Sequence, residues 1–256
     1  MSVSIKSAKE IERMREAGRL LEITHNELEK VIKPGISTFE IDRLGEQIIR
    51  SFGCTPNFLH YNDYPASICV SVNEEVVHGI PSKHRILKEG DIVSLDAGLI
   101  YKGFHSDAAR THAVGRISRE ARQLIDVTRQ CFFEGIRYAR AGCHLHEISG
   151  AIGSYAAKYG YGVVEDLVGH GIGRSLHEEP QIPNFPQKRR GIRLLPGMTL
   201  AIEPMINIGR CDVEWLDDNW TVVTEDNSLS AHYENTVLIT DKEPEILTLT
   251  ESSPGY

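Results

Sequence analysis

Ser7 and Glu10 form a capping-box start, and from there Ile11, Met14, Gly18, Leu21, His25, Leu28 and Ile32 recur at alternating spacings of three and four. That stripe predicts an amphipathic helix, stopped by Pro34-Gly35. Ser37 and Glu40 open a second, with Ile41, Leu44, Ile48 and Ile49 on its apolar side and Gly53 at its end. The period then changes. After an aromatic loop from Phe58 to Pro65, the run Ser67 to Val72 has strand character, and 91–100 with 104–114 read as a hairpin. Helical spacing returns at about 118–140 and 146–159, and strand-like runs follow at 198–208, 220–224 and 232–240.

The succession helix, helix, strands occurs twice, which raises an internal duplication. A shift of 107 residues lays PGISTFEIDRLGEQIIRSFG (34–53) on AGCHLHEISGAIGSYAAKYG (141–160), pairing Gly35 with Gly142, Glu40 with Glu147, Ile41 with Ile148 and Gly53 with Gly160. The same shift lays KEGDIVSLDAG (88–98) on LPGMTLAIEPM (195–205), matching Gly90 to Gly197 and Asp96 to Glu203. No linker rich in Ser, Pro or Gly parts the halves. One domain over 1–256, with halves of roughly 1–115 and 116–256, is the expectation.

At 256 residues, 41% hydrophobic and 25% charged, the composition is that of a globular chain with a sizeable core, not a disordered or fibrous one. The net charge of −8 gives no overall basic footprint for nucleic acid or anionic lipid. No apolar run suits a signal peptide or membrane span, so a cytoplasmic location is expected. Five cysteines at 54, 69, 131, 143 and 211, without a C-x-x-C, read as reduced thiols rather than a disulfide framework or a zinc site.

With the hairpin turn centred on Tyr101-Lys102, Asp96 would face Asp107 on one side of the sheet. Like charges in that arrangement destabilise a sheet, and Asp is a poor strand former. The second half supplies Glu203 inside TLAIEPMI and Glu234 inside HYENTVLIT, again acids in apolar strands. A single acid of this kind is ordinarily a solvent-facing one. Four, two per half, are different: each close pair costs on the order of 4 kcal/mol at ~4 Å and an effective dielectric of ~20, so the set requires cations. His170, flanked by glycines in VGHGIGRSLHEEP, adds an imidazole. Four carboxylates and one nitrogen suit two divalent ions such as Mn²⁺, Fe²⁺ or Co²⁺, and a water between them would ionise near neutral pH. Other motifs fail on chemistry: HEEPQ lacks the second histidine of a zincin helix, GHGIG is no dinucleotide loop, and neither GxxxxGK[ST] nor GxSxG occurs. The basic run Lys188-Arg189-Arg190-x-x-Arg193 reads as a solvated loop, with ribosomal RNA the minority alternative.

In order and spacing, Asp96, Asp107, His170, Glu203 and Glu234, with VNEEVVHGIP, GHGIGRSLHEEP, AIEP and SAHYENTVLIT around them, resemble the type I methionine aminopeptidases. The resemblance runs from about Ser7 to Thr240. It implies an α+β pita-bread fold, a curved antiparallel sheet with pseudo-twofold-related helix pairs. It also implies that Asp96 chelates one metal, Asp107 and Glu234 bridge, and His170 and Glu203 bind the other, Glu203 doubling as proton shuttle. His78 and His177 would then hydrogen-bond the substrate and tetrahedral intermediate. Phe58, Tyr61, Tyr64, Cys69 and Trp220 would line the methionine pocket, a polarizable surface suited to a thioether. Carbonyls of Asn73, Glu75 and Ser230 would serve a monovalent cation. The implied partners are nascent polypeptide N-termini, with a transient ribosome contact, acted on by a monomer that binds neither DNA nor membrane. The chain departs from the family at His60 and Asp63, where glycine is usual, at Leu176, where an aromatic is frequent, and at His232, where glutamine is frequent. Two rivals remain: a proline-specific peptidase of the same fold, which generally carries an extra N-terminal domain, and a non-enzymatic binding relative, which usually lacks ligands.

Overall fold

The computed structural model describes residues 3–249. The first half runs α1 (Ala8–Glu29), α2 (Thr38–Ser51), β1 (Thr55–Pro56), β2 (Ile68–Val72), β3 (Glu75–Val77), β4 (Ile92–Tyr101) and β5 (Phe104–Ala113). The second opens with α3 (Arg119–Ile136), α4 (Leu145–Ala157), β6 (Gly162–Val163), β7 (Gly169–Gly171) and β8 (Glu178–Ile182). It continues with β9 (Thr199–Ile202), β10 (Met205–Asn207), β11 (Val213–Trp215), β12 (Val222–Thr224), β13 (Ser230–His232), β14 (Glu234–Leu238) and β15 (Glu245–Ile246). Nine strands form one antiparallel sheet in the order β1-β4-β5-β14-β9-β7-β8, with β2 also on β4 and β15 also on β14. Two three-stranded sheets, β13-β10-β6 and β11-β12-β3, complete the architecture.

Both capping boxes read from the sequence form: the Ser7 and Ser37 backbone N–H groups each donate to the glutamate three residues on. A third was missed because histidine is an unusual cap. His144 N–H donates to Glu147 Oε2 at 2.6 Å, and α4 therefore starts at Leu145. The apolar faces of α1 and α2 meet β2 and β4 in a core that includes Leu21, Leu28, Ile41, Ile49, Ile68 and Leu95. Those of α3 and α4 meet β9, β10 and β14 in a second, around Leu124, Phe132, Ile148, Ile152, Leu200 and Val237. The shift of 107 residues also relates main-chain bonds. Gly35 N–H donates to Leu87 O and Gly142 N–H to Leu194 O, while the isolated bridges Ser37↔Ile86 and His144↔Arg193 differ by the same amount.

Three expectations require correction. The hairpin turns on Lys102-Gly103, not on Tyr101-Lys102: both turn residues have positive φ, 47° and 80°, as a two-residue hairpin turn requires. Asp96 consequently pairs with Ala109 and Asp107 with Gly98, so the two acids are diagonal neighbours on one face rather than directly opposed. The 198–208 run is interrupted at Glu203-Pro204, since proline cannot donate to a ladder, and Glu203 sits in the gap between β9 and β10. The glycines flanking His170, which from the sequence would lend the backbone flexibility to bring the imidazole up to a metal, instead belong to strand β7. A Cβ on Gly169 would lie 2.4 Å from Ala201 O and one on Gly171 2.2 Å from Glu179 O, so these glycines permit close approach of the neighbouring strands.

Candidate metal centre and substrate cavity

The five expected ligands stand on or beside five strands that are consecutive neighbours in the large sheet. Asp96 is on β4, Asp107 on β5, Glu234 opens β14, Glu203 follows β9, and His170 is the middle residue of β7. Ala109 pairs with Asp96 on one side and with Glu234 on the other, so a small side chain separates two acids in one cross-strand row. Single ligand atoms of Asp107, His170 and Glu234 all lie within 4.8 Å of one another. Glu203 presents Oε1 to His170 Nε2 and Oε2 to His232 Nε2, each at 3.6 Å, too far for a hydrogen bond.

Among the described residues, several of these buried groups find no partner. Asp96 Oδ1, Asp107 Oδ1, Glu234 Oε1 and both ring nitrogens of His232 lack a hydrogen-bond partner. Burial raises every one of the four carboxyls: Asp96 to about 7, Glu203 to about 8, and Asp107 and Glu234 well above the usual carboxylate range. The carboxyls add to this by facing one another, Asp96 and Glu203 raising Asp107, and Asp107 raising Glu234 most of all after burial. Orphaned acid oxygens around an imidazole are the donor set that divalent cations of borderline hardness take, so the residues fit the expected metals. The imidazole is ready for the role. His170 Nδ1–H donates to Gly171 O at 2.8 Å, which leaves Nε2 unprotonated, and burial lowers its pKa to about 3.

Arg110 braces this arrangement from behind. Its guanidinium donates to the backbone carbonyls of Ala109 and Glu234, to Asn235 Oδ1 at 2.6 Å and to Thr248 O at 3.2 Å, while stacking 4.7 Å from the Tyr233 ring centroid. Sequence reasoning did not single it out. In FHSDAARTHA it stands among other polar residues, so nothing in the pattern sets it apart.

A cavity of about 280 Å³ opens onto the acids. All the expected pocket residues, Phe58, Tyr61, Tyr64, Cys69 and Trp220, line it together with His78 and His177. Tyr64 donates to Gly79 O at 2.9 Å and meets Trp220 edge-on at 5.1 Å, which fixes one wall. The Cys69 thiol is pushed well above its usual pKa by burial, so it is an apolar lining group rather than a nucleophile. Val77, Leu167, Leu176 and Met205 add apolar surface that sequence reasoning did not assign to the pocket.

His78 stands at φ 60°, a left-handed conformation unusual outside glycine, with its ring 6.0 Å from Trp220. Burial lowers its pKa to about 4. His177 packs 4.2 Å from His170 and shares a 2.7 Å hydrogen bond between its Nδ1 and the Tyr61 hydroxyl. Tyr61 belongs to a tight loop in which His60, Asn62 and Asp63 all take positive φ. Among the residues expected at a monovalent cation, Ser230 N–H donates to Asn73 O at 2.9 Å, whereas the Glu75 side chain folds onto Val72 N–H. Lys188, Arg189, Arg190 and Arg193 are exposed, on a loop tied to the start of α4 by His146 N–H to Arg190 O.

The model of metallopeptidase family M24 matches residues 12–241. A methionine aminopeptidase of Clostridium acetobutylicum is 53% identical over 97% of this chain and 100% of its own. The crystal structure of methionine aminopeptidase from Rickettsia prowazekii superposes with a TM-score of 0.95 at 40% identity, covering 97% of this chain and 100% of that one. An Xaa-Pro dipeptidase from Bacillus anthracis shares the fold at a TM-score of 0.77 and 25% identity, but 98% of this chain covers only 62% of it.

Proposed function

The chain belongs to metallopeptidase family M24, with the pita-bread fold of its structural neighbours, and on that premise we propose that it removes the N-terminal methionine from polypeptides whose second residue is small. The observation that carries this reading is the junction of two things in one cavity: orphaned buried acids around His170, and an apolar, sulfur- and ring-lined recess beside them. The near full-length likeness to methionine aminopeptidases supports it.

Asp96, Asp107, His170, Glu203 and Glu234 would hold two divalent ions, Mn²⁺, Fe²⁺ or Co²⁺, with Asp107 and Glu234 shared between them. Bound there, such ions polarise a carbonyl and lower the pKa of a water to near neutrality. Phe58, Tyr64, Cys69 and Trp220 enclose one long unbranched side chain, and the polarizable walls favour a thioether. His78 and His177, kept neutral by burial, donate N–H groups to the peptide carbonyl and to the charge that develops on it. Glu203 takes the proton released as water attacks the carbonyl carbon and passes it to the departing amine. Substrates are nascent polypeptide N-termini in the cytoplasm, met by a monomer with a transient ribosome contact; a monovalent cation sits near Asn73, Glu75 and Ser230. The chain acts as one catalytic domain of two duplicated halves, 1–115 and 116–256, with ligands from each.

The test is metal-dependent release of free methionine from Met-Gly-x and Met-Ala-x peptides, run beside x-Pro peptides and a panel varied at the first residue. Methionine release with small second residues is expected. Preferential x-Pro cleavage would transfer the chain to the proline-specific peptidases, and Leu or Phe preferred over Met at the first position would remove the pocket assignment.

A further inference from the structure

We infer that Tyr61 is a positioning residue that donates its hydroxyl proton to Nδ1 of His177 and so fixes that histidine in the Nε2–H tautomer. The inference rests on the aminopeptidase reading, and it gives Tyr61 a task beyond lining the cavity. The geometry is a 2.7 Å hydrogen bond between the two groups, with ring centroids 5.4 Å apart and planes inclined by 42°. A hydroxyl can give or accept a proton here, whereas a neutral imidazole has one N–H to place. Among the described residues the Tyr61 hydroxyl has no other hydrogen-bond partner, so within the protein only Nδ1 is placed to take its proton. Donation leaves Nε2 carrying the hydrogen. That nitrogen is then the one free to donate into the cavity that His177 lines. The opposite tautomer would present a bare lone pair to an oxygen that is gaining charge, which repels where the reaction needs attraction.

The loop that delivers the hydroxyl is held under strain. His60, Asn62 and Asp63 have φ of 68°, 47° and 69°, three left-handed residues around a single tyrosine. His60 N–H donates to Tyr64 O at 2.8 Å and Tyr61 N–H to Phe58 O at 2.9 Å, closing the turn on itself. Such conformations persist only where surrounding bonds over-determine them, and they collect at sites where a side chain must be aimed.

The variant that separates the two tasks is Tyr61→Phe, which keeps the ring and removes the hydroxyl. In metal-loaded protein, kcat for a Met-Ala-x peptide should fall about tenfold, the scale of one orienting hydrogen bond, with KM changed less than about twofold. Tyr61→Phe in a His177→Ala background should cost nothing further, because the histidine it orients is gone. Ring ¹⁵N shifts of His177 should report Nε2–H in wild type and a tautomer mixture in Tyr61→Phe. These shifts need no turnover, so they test the inference even if methionine release itself fails. A kcat equal to wild type, a rise in KM alone, additive losses in the double variant, or an Nδ1–H tautomer in wild type would each overturn it.

Discussion

Gly98 stands directly opposite Asp107 across the hairpin, and a Cβ on Gly98 would come within 2.9 Å of Asp107 Oδ1 and 2.2 Å of Asn57 Nδ2. The room for the Asp107 carboxylate is thus made by the residue facing it. Gly98→Ala should displace Asp107, weakening metal binding at least about tenfold and destabilising the fold by about 1–3 kcal/mol. Calorimetric titration of metal-free protein with Mn²⁺, beside a thermal melt, reads both quantities. Unchanged affinity would mean that Asn57 gives way and the carboxylate does not.

If the proposed two-metal centre holds, Asp107→Asn or Glu234→Gln should reduce occupancy of both positions together, because a neutral amide removes charge that both ions would share. His177→Ala should leave metal content near wild type while turnover falls by roughly 2.7–4 kcal/mol of transition-state stabilisation. Metal analysis paired with steady-state kinetics distinguishes the classes. A His177→Ala protein that lost its metal would remove the role given to this histidine.

The stability of metal-free protein should peak near pH 6.5. Above it, histidines are neutral in both folded and unfolded states, but Asp96 and Glu203 have folded pKa values of about 7 and about 8, far above their unfolded ones. The folded state then binds more protons than the unfolded chain, so stability declines as pH rises through this range. Below pH 6.5 the four raised acids, Asp96, Asp107, Glu203 and Glu234, still oppose this. Seven lowered histidines, His25, His78, His105, His112, His170, His177 and His232, stay neutral while their unfolded counterparts charge and outnumber those acids, so stability falls with acid. Saturating divalent metal should abolish the alkaline decline, since it takes the place of the protons. Melting temperatures across pH 5–9, with and without Mn²⁺, show whether the slope changes sign.

His60→Gly should stabilise the protein by about 0.5–1 kcal/mol, because glycine adopts positive φ without the Cβ penalty that His60 bears at 68°. A lower melting temperature in the variant would show that the His60 side chain makes compensating contacts.

The acids were legible because each breaks an apolar strand, which alternation exposes in sequence. Their relative placement was not. A hairpin shifted by one turn position moves Asp107 from facing Asp96 to facing Gly98 while keeping the same face, and only the paired positive φ of Lys102 and Gly103 decides between them. His170 was legible as a candidate ligand, but the strand built by its flanking glycines was not, since close approach of two neighbouring strands has no periodic signature. The pocket is drawn from separate stretches, Phe58 to Tyr64, Cys69 and Trp220, so no pattern along the chain could assemble it and only the family resemblance did. His232 shares a period of two with Glu234, and that signal pointed to the acids although it was noted only as a departure.

The bracing of Arg110 makes the last strand part of the chemistry. One cation holds the Glu234 carbonyl, the Asn235 side chain and Thr248 O, and Thr248 in turn bonds Asn235 and Thr236. The register of residues 245–248 and the angle of the Glu234 carboxylate are therefore a single mechanical variable. A slip of the tail along β14 is transmitted to the floor of the cavity, so a lesion remote from the substrate can detune the site as surely as one within it.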